Sequence, residues 1–375
     1  SLYGTVGVSR EDIKFSNGSV TYVPFVLQGG SYDDVTWQKT TMKNFGIDFV
    51  VLNNRLSGNF DIFRNDVTNM LGTAYTSLLN MYPTRPVNGA HYKRTGVELS
   101  LNSENIRTSD FTWTTSLALS HYRANWVERM PNYDYKTYQQ RENEPMSAYY
   151  YYNTTGIINA DRSNMPESQR SLPIDAQKPG FPIIDDRNGN GVIDEGDIYM
   201  DDLLPKLYYG FGNTFIYKNW DLDIYMYGQL GVEKYNNTKA ANCSAGNLSS
   251  GISAANPTDY AFTAWNSQTN PNGTTPGVAT KDVTMPGNAG IKLFYEKADF
   301  LRVRNITLGY TFDARKWKCF KGYMQSLRLY VDVQNPFTFT GFTGDDPEIV
   351  IASSLLSGCN YPQLRSYSFG AKIIF

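Results

Sequence analysis

Oxygen-bearing side chains recur at alternate positions in one stretch of this sequence, DRNGNGVIDEGD (186–197). Asp186, Asn188, Asn190 and Asp194 fall at positions one, three, five and nine of an EF-hand loop. Gly191 supplies the sharp turn at position six, Ile193 follows at eight, and Val192 at seven would contribute its backbone carbonyl. Position twelve is Asp197, where such a loop carries a bidentate Glu; the shorter carboxylate reaches less far and binds more weakly. Hard oxygen donors in this spacing select Ca²⁺ over zinc or copper. The flanks are not helix-like, so the expectation is an isolated calcium loop stiffening a surface excursion. A metal-free Asx-rich turn is the bland alternative, because Asn, Asp and Gly form turns unaided.

No other residues make a comparable case for chemistry. His91 and His121 are far apart and sit in no nucleophile or metal motif. Asp345-Asp346 reads as a turn former, and a Gly-rich phosphate loop is absent. Cys243, Cys319 and Cys359 lack CxxC spacing, so zinc is not expected and at most one disulfide can form. Tyr149, Tyr150, Tyr151, Tyr152 and Trp265 are candidates for stacking on a sugar ring or peptide; packing against one another is the competing reading. A net charge of −2 gives no electrostatic basis for nucleic-acid binding. The chain does not read as an enzyme.

The elements that position the loop follow it directly. LYYGFGNTFIY and WDLDIYMYGQL flank Lys218-Asn219 as the two limbs of a β-hairpin. In the second limb Leu222, Ile224, Met226 and Leu230 share one face, and Asp221, Asp223, Tyr225, Tyr227 and Gln229 the other. Aliphatics facing one way and aspartates the other suit a strand between lipid and water. GIDFVVL, the turn at Asn53-Asn54 and LSGNFDIF repeat the pattern, although that hairpin alone fits a soluble sandwich as well. Val97, Leu99 and Leu101 align next, then Phe111, Trp113, Thr115, Leu117 and Leu119, and later Leu327, Leu329, Val331 and Val333. The last strand puts Tyr367, Phe369, Ala371, Ile373 and Phe375 on one face. Lipid-facing positions are therefore expected at Leu222, Ile224, Met226, Leu327, Leu329, Val331, Phe369 and Ile373.

No run of about 18 apolar residues exists, so no transmembrane helix is expected, while 14% aromatics suit a barrel with aromatic girdles. Residues 1–43 read as loop or partial strand, with 20–27 the strand candidate. From 44 to 375, strands alternate with long loops at about 65–92, 125–205, 231–297 and 335–362. Loops of that length count against a compact soluble domain but are usual at the extracellular end of an outer-membrane barrel. Long and short connections alternate strictly. The expected fold is all-β, about nine antiparallel strands of a larger transmembrane barrel.

Several segments, in order, resemble the carboxy-terminal barrel region of SusC/RagA-like TonB-dependent transporters of Gram-negative Bacteroidota. They are NFGIDFVVLNNRLSGNFDIFRNDVTNML (44–71), RTGVELSLNSENIRTSDFTW (94–113), DRNGNGVIDEGD (186–197) and PKLYYGFGNTFIYKNWDLDIYMYGQLG (205–231). FLRVRNITLGYTF (300–312), VDVQNPFTFTGFTGDDPE (331–348) and YPQLRSYSFGAKIIF (361–375) complete the set. The resemblance implies a 22-stranded barrel, of which this chain carries about nine strands, with the plug domain and TonB-contacting segment absent from these residues. It implies outer-membrane import of oligosaccharides or oligopeptides, TonB as energy source and a SusD-like surface lipoprotein as lid. A siderophore or cobalamin receptor, or a secreted β-sandwich adhesin or glycan-binding protein, are the other readings.

Overall fold

The computed structural model describes residues 7–10, 15–17, 20–22 and 25–28 as backbone, and 34–76, 84–131, 133, 135–236, 262–278, 280, 283–293, 295–316, 323–344, 346–348 and 363–375 in full. Cys243, Cys319, Cys359 and Asp345 lie outside the described residues. Four short strands come first: β1 (Gly7–Arg10), β2 (Phe15–Asn17), β3 (Val20–Tyr22) and β4 (Phe25–Gln28), paired antiparallel as β1 with β4 and β2 with β3. Then come β5 (Lys39–Val51), β6 (Leu56–Tyr75), β7 (Thr84–Arg107) and β8 (Phe111–Glu128). An excursion carries β9 (Ala148–Tyr152), β10 (Thr154–Ile157), β11 (Pro182–Ile184) and β12 (Tyr199–Asp202). The hairpin of β13 (Leu207–Tyr217) and β14 (Trp220–Leu230) follows, then short β15 (Glu233–Tyr235), β16 (Gly290–Ile291) and β17 (Tyr295–Lys297). β18 (Phe300–Asp313), β19 (Ser326–Thr340) and β20 (Ser366–Ile374) complete the set.

Nine strands form one sheet in the order β20-β19-β18-β14-β13-β8-β7-β6-β5. Each pairs with its neighbour along the chain once the short strands of the excursions are set aside. The result is an antiparallel meander with the tight turns 52–55, 108–110 and 218–219 at one end and the longest connections at the other; β6 and β7 are joined there by 76–83 alone, and β18 and β19 at the turn end by 314–325. Leu52, Asn53 and Asn54 reverse the chain in the left-handed region (φ 51°, 53° and 65°), and Lys218 does so at φ 53°. Register carries the two faces across the sheet. Leu222 aligns with Phe215, Leu308, Val331 and Phe369, while Asp223 aligns with Thr214, Thr307, Asp332 and Ser368.

The polar face is internally bonded. Arg328 grips Asp221 through both guanidinium arms, Nε to Oδ1 at 2.9 Å. Thr214 donates to Asp223 (2.5 Å) and Thr307 to Asp332 (2.6 Å). The Arg328 guanidinium crosses over Gly309, where a Cβ would stand 2.6 Å from both Arg328 Nη2 and Asp221 Oδ2. Gly309 keeps that path open.

Several strands run further than alternation indicated. The loop expected at 65–92 is mostly strand, because β6 continues to Tyr75 and β7 begins at Thr84. Likewise β8 reaches Glu128, β19 reaches Thr340, and β5 starts at Lys39. In the extensions of β6 and β7 the buried positions, Val67, Ala74, Val87 and Ala90, keep no period of two while backbone pairing persists, so these stretches read as loop.

The chain divides into two compact units. One comprises Ser1–Lys43, Phe63–Thr95 and Ala124–Met146. In it Val67, Ala74, Val87, Ala90 and Tyr138 are buried. Asn88 clamps this unit: its Oδ1 accepts from Thr36 N (2.7 Å) and its Nδ2 donates to the Thr36 and Asn69 carbonyls (both 2.9 Å). The other unit comprises Asn44–Ile62, Gly96–Arg123 and Ser147–Phe375. Its core lies in the excursion rather than on the sheet. Tyr152, Ile158, Phe181, Ile184 and Ile198 are all sealed from solvent. They come from β9, β11 and the turns around them.

Candidate functional site

The 186–197 loop closes on its own polar side chains. Asp186 Oδ1 accepts from the N–H groups of Gly189 (2.8 Å) and Asn190 (3.2 Å), and its Oδ2 from Gly191 (2.9 Å). Asn188 Oδ1 accepts from Asn190 N (2.9 Å), and Asn190 Oδ1 from Val192 N (2.8 Å). Asp194 Oδ1 accepts from Gly196 N (2.7 Å) and its Oδ2 from Asn190 Nδ2 (3.2 Å). Asp197, fully buried, accepts from Asn188 N (3.2 Å) and Asp194 N (2.9 Å). The fold thus brings Asp186, Asn188, Asn190, Asp194 and Asp197 into one turn, with Val192 exposed at its edge. Gly189 and Gly191 at φ 69° and 83° make the curvature possible. Among the described residues no three His, Cys, Asp or Glu side chains converge as a metal site. An oxygen that accepts one N–H retains a second lone pair. The donor set therefore suits a hard cation, and the turn also holds without one.

The loop feeds a layer of tyrosines. β12 pairs with β9 so that Tyr199 faces Tyr151 and Asp201 faces Tyr149. Tyr149, Tyr151, Tyr199 and Tyr295 stack in series, with ring centroids 4.5–5.7 Å apart. Lys292 sits among them, 2.6 Å from Glu233, 3.7 Å from Asp201 and over the Tyr151 ring. Tyr149 donates to Glu233 and Tyr151 to Asp201, each at 2.7 Å. Burial and those carboxylate partners push both phenols well above their ordinary range. Burial opposes ionisation of Glu233, but the Lys292 ammonium and Tyr149 hydroxyl outweigh it and hold the carboxyl below its usual value. Burial pushes the neighbouring Lys234 ammonium down.

These contacts decide the role of the aromatics. Tyr149, Tyr151 and Tyr152 are buried, and Tyr152 donates to the Asp194 and Pro286 carbonyls. The Trp265 ring lies against the backbone at Gly180 and Gly277. Their faces are used in packing, so an open stacking platform is not what these residues form. The histidines are also committed locally. His91 stands 3.6 Å from Asp66, and His121 donates from Nδ1 to the Lys206 carbonyl.

A second anchor was not singled out by sequence. Arg302 is 2% exposed and bonds Asp346 at 2.8 Å and Glu348 at 2.5 Å, and Tyr227 donates to the same Glu348 oxygen at 2.7 Å. Lys234 caps the Pro347 carbonyl. This network fastens the 346–348 segment against the polar face of β14 and β18. Its only sequence trace is the acidic cluster GDDPE, which also reads as a plain turn.

No family model matches the chain. TonB-dependent receptor P3 of Formosa agariphila is 27% identical over 375 aligned residues, covering 93% of this chain and 35% of that protein. TonB-dependent receptor SusC of Bacteroides thetaiotaomicron is 28% identical over 359 residues, covering 92% of this chain and 32% of that protein. Among solved structures, the RagAB peptide transporter matches with a TM-score of 0.72 at 18% identity, over 98% of this chain and 38% of that one. The chain thus spans about a third of the length of these curated relatives. The expected resemblance to SusC-like TonB-dependent transporters holds, and so does the fold, an all-β antiparallel sheet that is part of a larger barrel.

Proposed function

We propose, on the premise that this chain is a SusC/RagA-like barrel segment, that the complete protein is an outer-membrane importer. It takes up oligosaccharides or oligopeptides too large for porins, powered through TonB, with a SusD-like lipoprotein closing over the long connections. The observation that carries this reading is the meander itself. The tight turns at 52–55, 108–110 and 218–219 lie at one end, the longest connections at 129–206, 231–299 and 341–365 lie at the other, and register sorts apolar from polar residues onto opposite faces. A wall with lipid outside and water inside needs that sorting. An adhesin sandwich does not need the strict alternation of connections.

The test uses the complete protein in its own outer membrane. Labelled oligosaccharides and oligopeptides are offered, and accumulation is expected for one of the two classes. A proton uncoupler should abolish it, and a surface lipoprotein should co-purify. Accumulation only of an iron chelate or cobalamin, with no co-purifying lipoprotein, would replace this reading with a siderophore-type receptor. A complete protein that stays folded and soluble without detergent would remove the barrel altogether.

We further propose that Asp186, Asn188, Asn190, Val192, Asp194 and Asp197 hold one Ca²⁺ as a structural ion. It would offset the repulsion of three carboxylates within the turn and set the path of the chain into β13. Calcium titration of the chelator-treated protein should raise the protease resistance of the excursion, with no such gain in the Asp186→Ala/Asp194→Ala variant. Equal resistance with and without calcium would leave the loop a metal-free turn.

A further inference from the structure

On the outward face, register aligns Asn213 with Ile224, Ile306, Val333 and Tyr367 across five strands. Thr115 of β8 meets Asn213 from the other side. The neighbouring row toward the short turns is apolar throughout: Trp113, Phe215, Leu222, Leu308, Val331 and Phe369. The next row away from the turns pairs Phe211 with Leu117 and Met226. Asn213 and Thr115 are thus a polar notch in an apolar wall.

The notch is wired. Asn213 Oδ1 accepts from Trp113 Nε1 and from Thr115 Oγ1, both at 2.9 Å. Thr115 Oγ1 in turn accepts from Asn105 Nδ2 at 2.7 Å. An indole N–H can only donate, so the atom it meets must be the amide oxygen. The Asn213 NH2 therefore points away from the network, and among the described residues it has no hydrogen-bond partner. Two N–H donors facing hydrocarbon with no acceptor are costly.

Depth identifies the acceptor. Asn213 precedes the end of β13 at Tyr217 by four residues. At about 3.3 Å per residue and a tilt of about 40°, it stands about 10 Å above the turn. The interfacial layer is roughly 5–7 Å thick on each side. Tyr217, Trp220 and Tyr310 cluster at the turn as an aromatic girdle does at an interface, so the turn is taken as the water-side edge of that layer. The notch then lies a few Å inside the boundary between headgroups and hydrocarbon, where acyl ester carbonyls are the nearest acceptors. We propose that Asn105, Thr115, Trp113 and Asn213 form a glycerophospholipid site, with Asn213 Nδ2 donating to an acyl ester carbonyl. The stacked Trp113 and Phe215 rings, centroids 5.7 Å apart, flank the glycerol. The proposal rests on the outer-membrane reading, because it takes this face to meet lipid.

The experiment purifies the complete receptor, wild type and Asn213→Leu, in mild detergent. Phosphatidylethanolamine with ester-linked or ether-linked chains is added, and retained lipid is counted by native mass spectrometry. The wild type should retain the ester lipid about fivefold better than the variant, as the loss of one hydrogen bond implies, and should show no such preference for the ether lipid. Equal retention by the two proteins overturns the site. Ether lipid held as well as ester lipid overturns the carbonyl assignment in favour of phosphate. Loss of association between copies with unchanged lipid makes the acceptor a protein group and overturns the proposal too. Heat-modifiable migration of each protein reports the barrel separately, so failure of the outer-membrane reading is distinguishable. If Asn213→Leu lacks that migration, Asn213→Ser, which also removes the NH2, takes its place with the same expected loss.

Discussion

The sheet and the excursion between β8 and β13 hide apolar surface in opposite ways. Along β19 and β20, Leu329, Val331, Phe369 and Ile373 remain 38–80% exposed, although each belongs to a continuous apolar face. The excursion folds Tyr152, Ile158, Phe181, Ile184 and Ile198 completely away. One region relies on an external apolar solvent for its outer face and on backbone ladders for its order. The other builds a core in water and fastens it with side-chain networks. Shape in the sheet is therefore set by register, and shape in the excursion by particular residues. A damaging substitution should act locally in the excursion and according to face in the sheet.

The largest effect is expected where a side-chain network is most buried. Removing Arg302 leaves Asp346 without its partner, and the 346–348 segment loses its tether. Breaking a buried ion pair from one side costs about 3–5 kcal/mol. Arg302→Ala should therefore free this segment to proteolysis while heat-modifiable migration of the barrel persists. A variant whose segment resists protease as the wild type does would show that the anchor lies elsewhere.

Within the sheet the contrast is between faces. Arg placed at Met226, on the apolar face and deeper than the row of Asn213 and Ile224, should destabilise by roughly 2–4 kcal/mol near the midplane and less toward an interface. Arg at the adjacent Tyr225 points into the polar face beside Asn305 and Gly212 and should cost much less. Reversible unfolding from lipid vesicles measures both. Equal costs would erase the distinction between the faces and with it the membrane assignment.

This contrast also explains what could be read from sequence. β13, β14, β18 and β19 were legible because each carries a period of two between unlike solvents. The far ends of β6 and β7 were not, because their buried positions, Val67, Ala74, Val87 and Ala90, follow no period of two although the ladder continues. The loop at 186–197 was legible from Asx and Gly spacing, since its bonds are local. Arg302 with Asp346 and Glu348, and Lys292 with Glu233 and Asp201, join residues 44 to 91 positions apart, and only the fold brings them together. The tyrosines 149–152 misled in a specific way. Their alternation places Tyr149 and Tyr151 on one side and Tyr152 on the other, but composition does not reveal that both sides are covered.

The smallest effect tests whether the tyrosine layer depends on charge. Glu233, in the connection after β14, is held below its usual carboxylate value, so the folded tyrosine layer binds its proton less tightly than the unfolded chain does. Its contribution is therefore complete above the ordinary glutamate value of about 4.3 and is lost as pH falls through the depressed one. With Glu233 and Lys292 side chains 30% and 18% exposed, the pair belongs near the modest range of partly screened ion pairs, about 1 kcal/mol or less. Glu233→Gln should lower the melting temperature of the tyrosine layer by a few degrees, read by the near-ultraviolet dichroism of its stacked rings. That gap should be constant between pH 6 and 8 (about two units above the usual glutamate value) and close in acid. Tyr149 and Tyr151 remain protonated throughout, because burial keeps their phenols above the whole range. A gap that persists unchanged in acid would mean that Glu233 acts through packing and hydrogen bonding to Tyr149 alone. The layer would then be an apolar core with polar ends rather than one held by its buried charges.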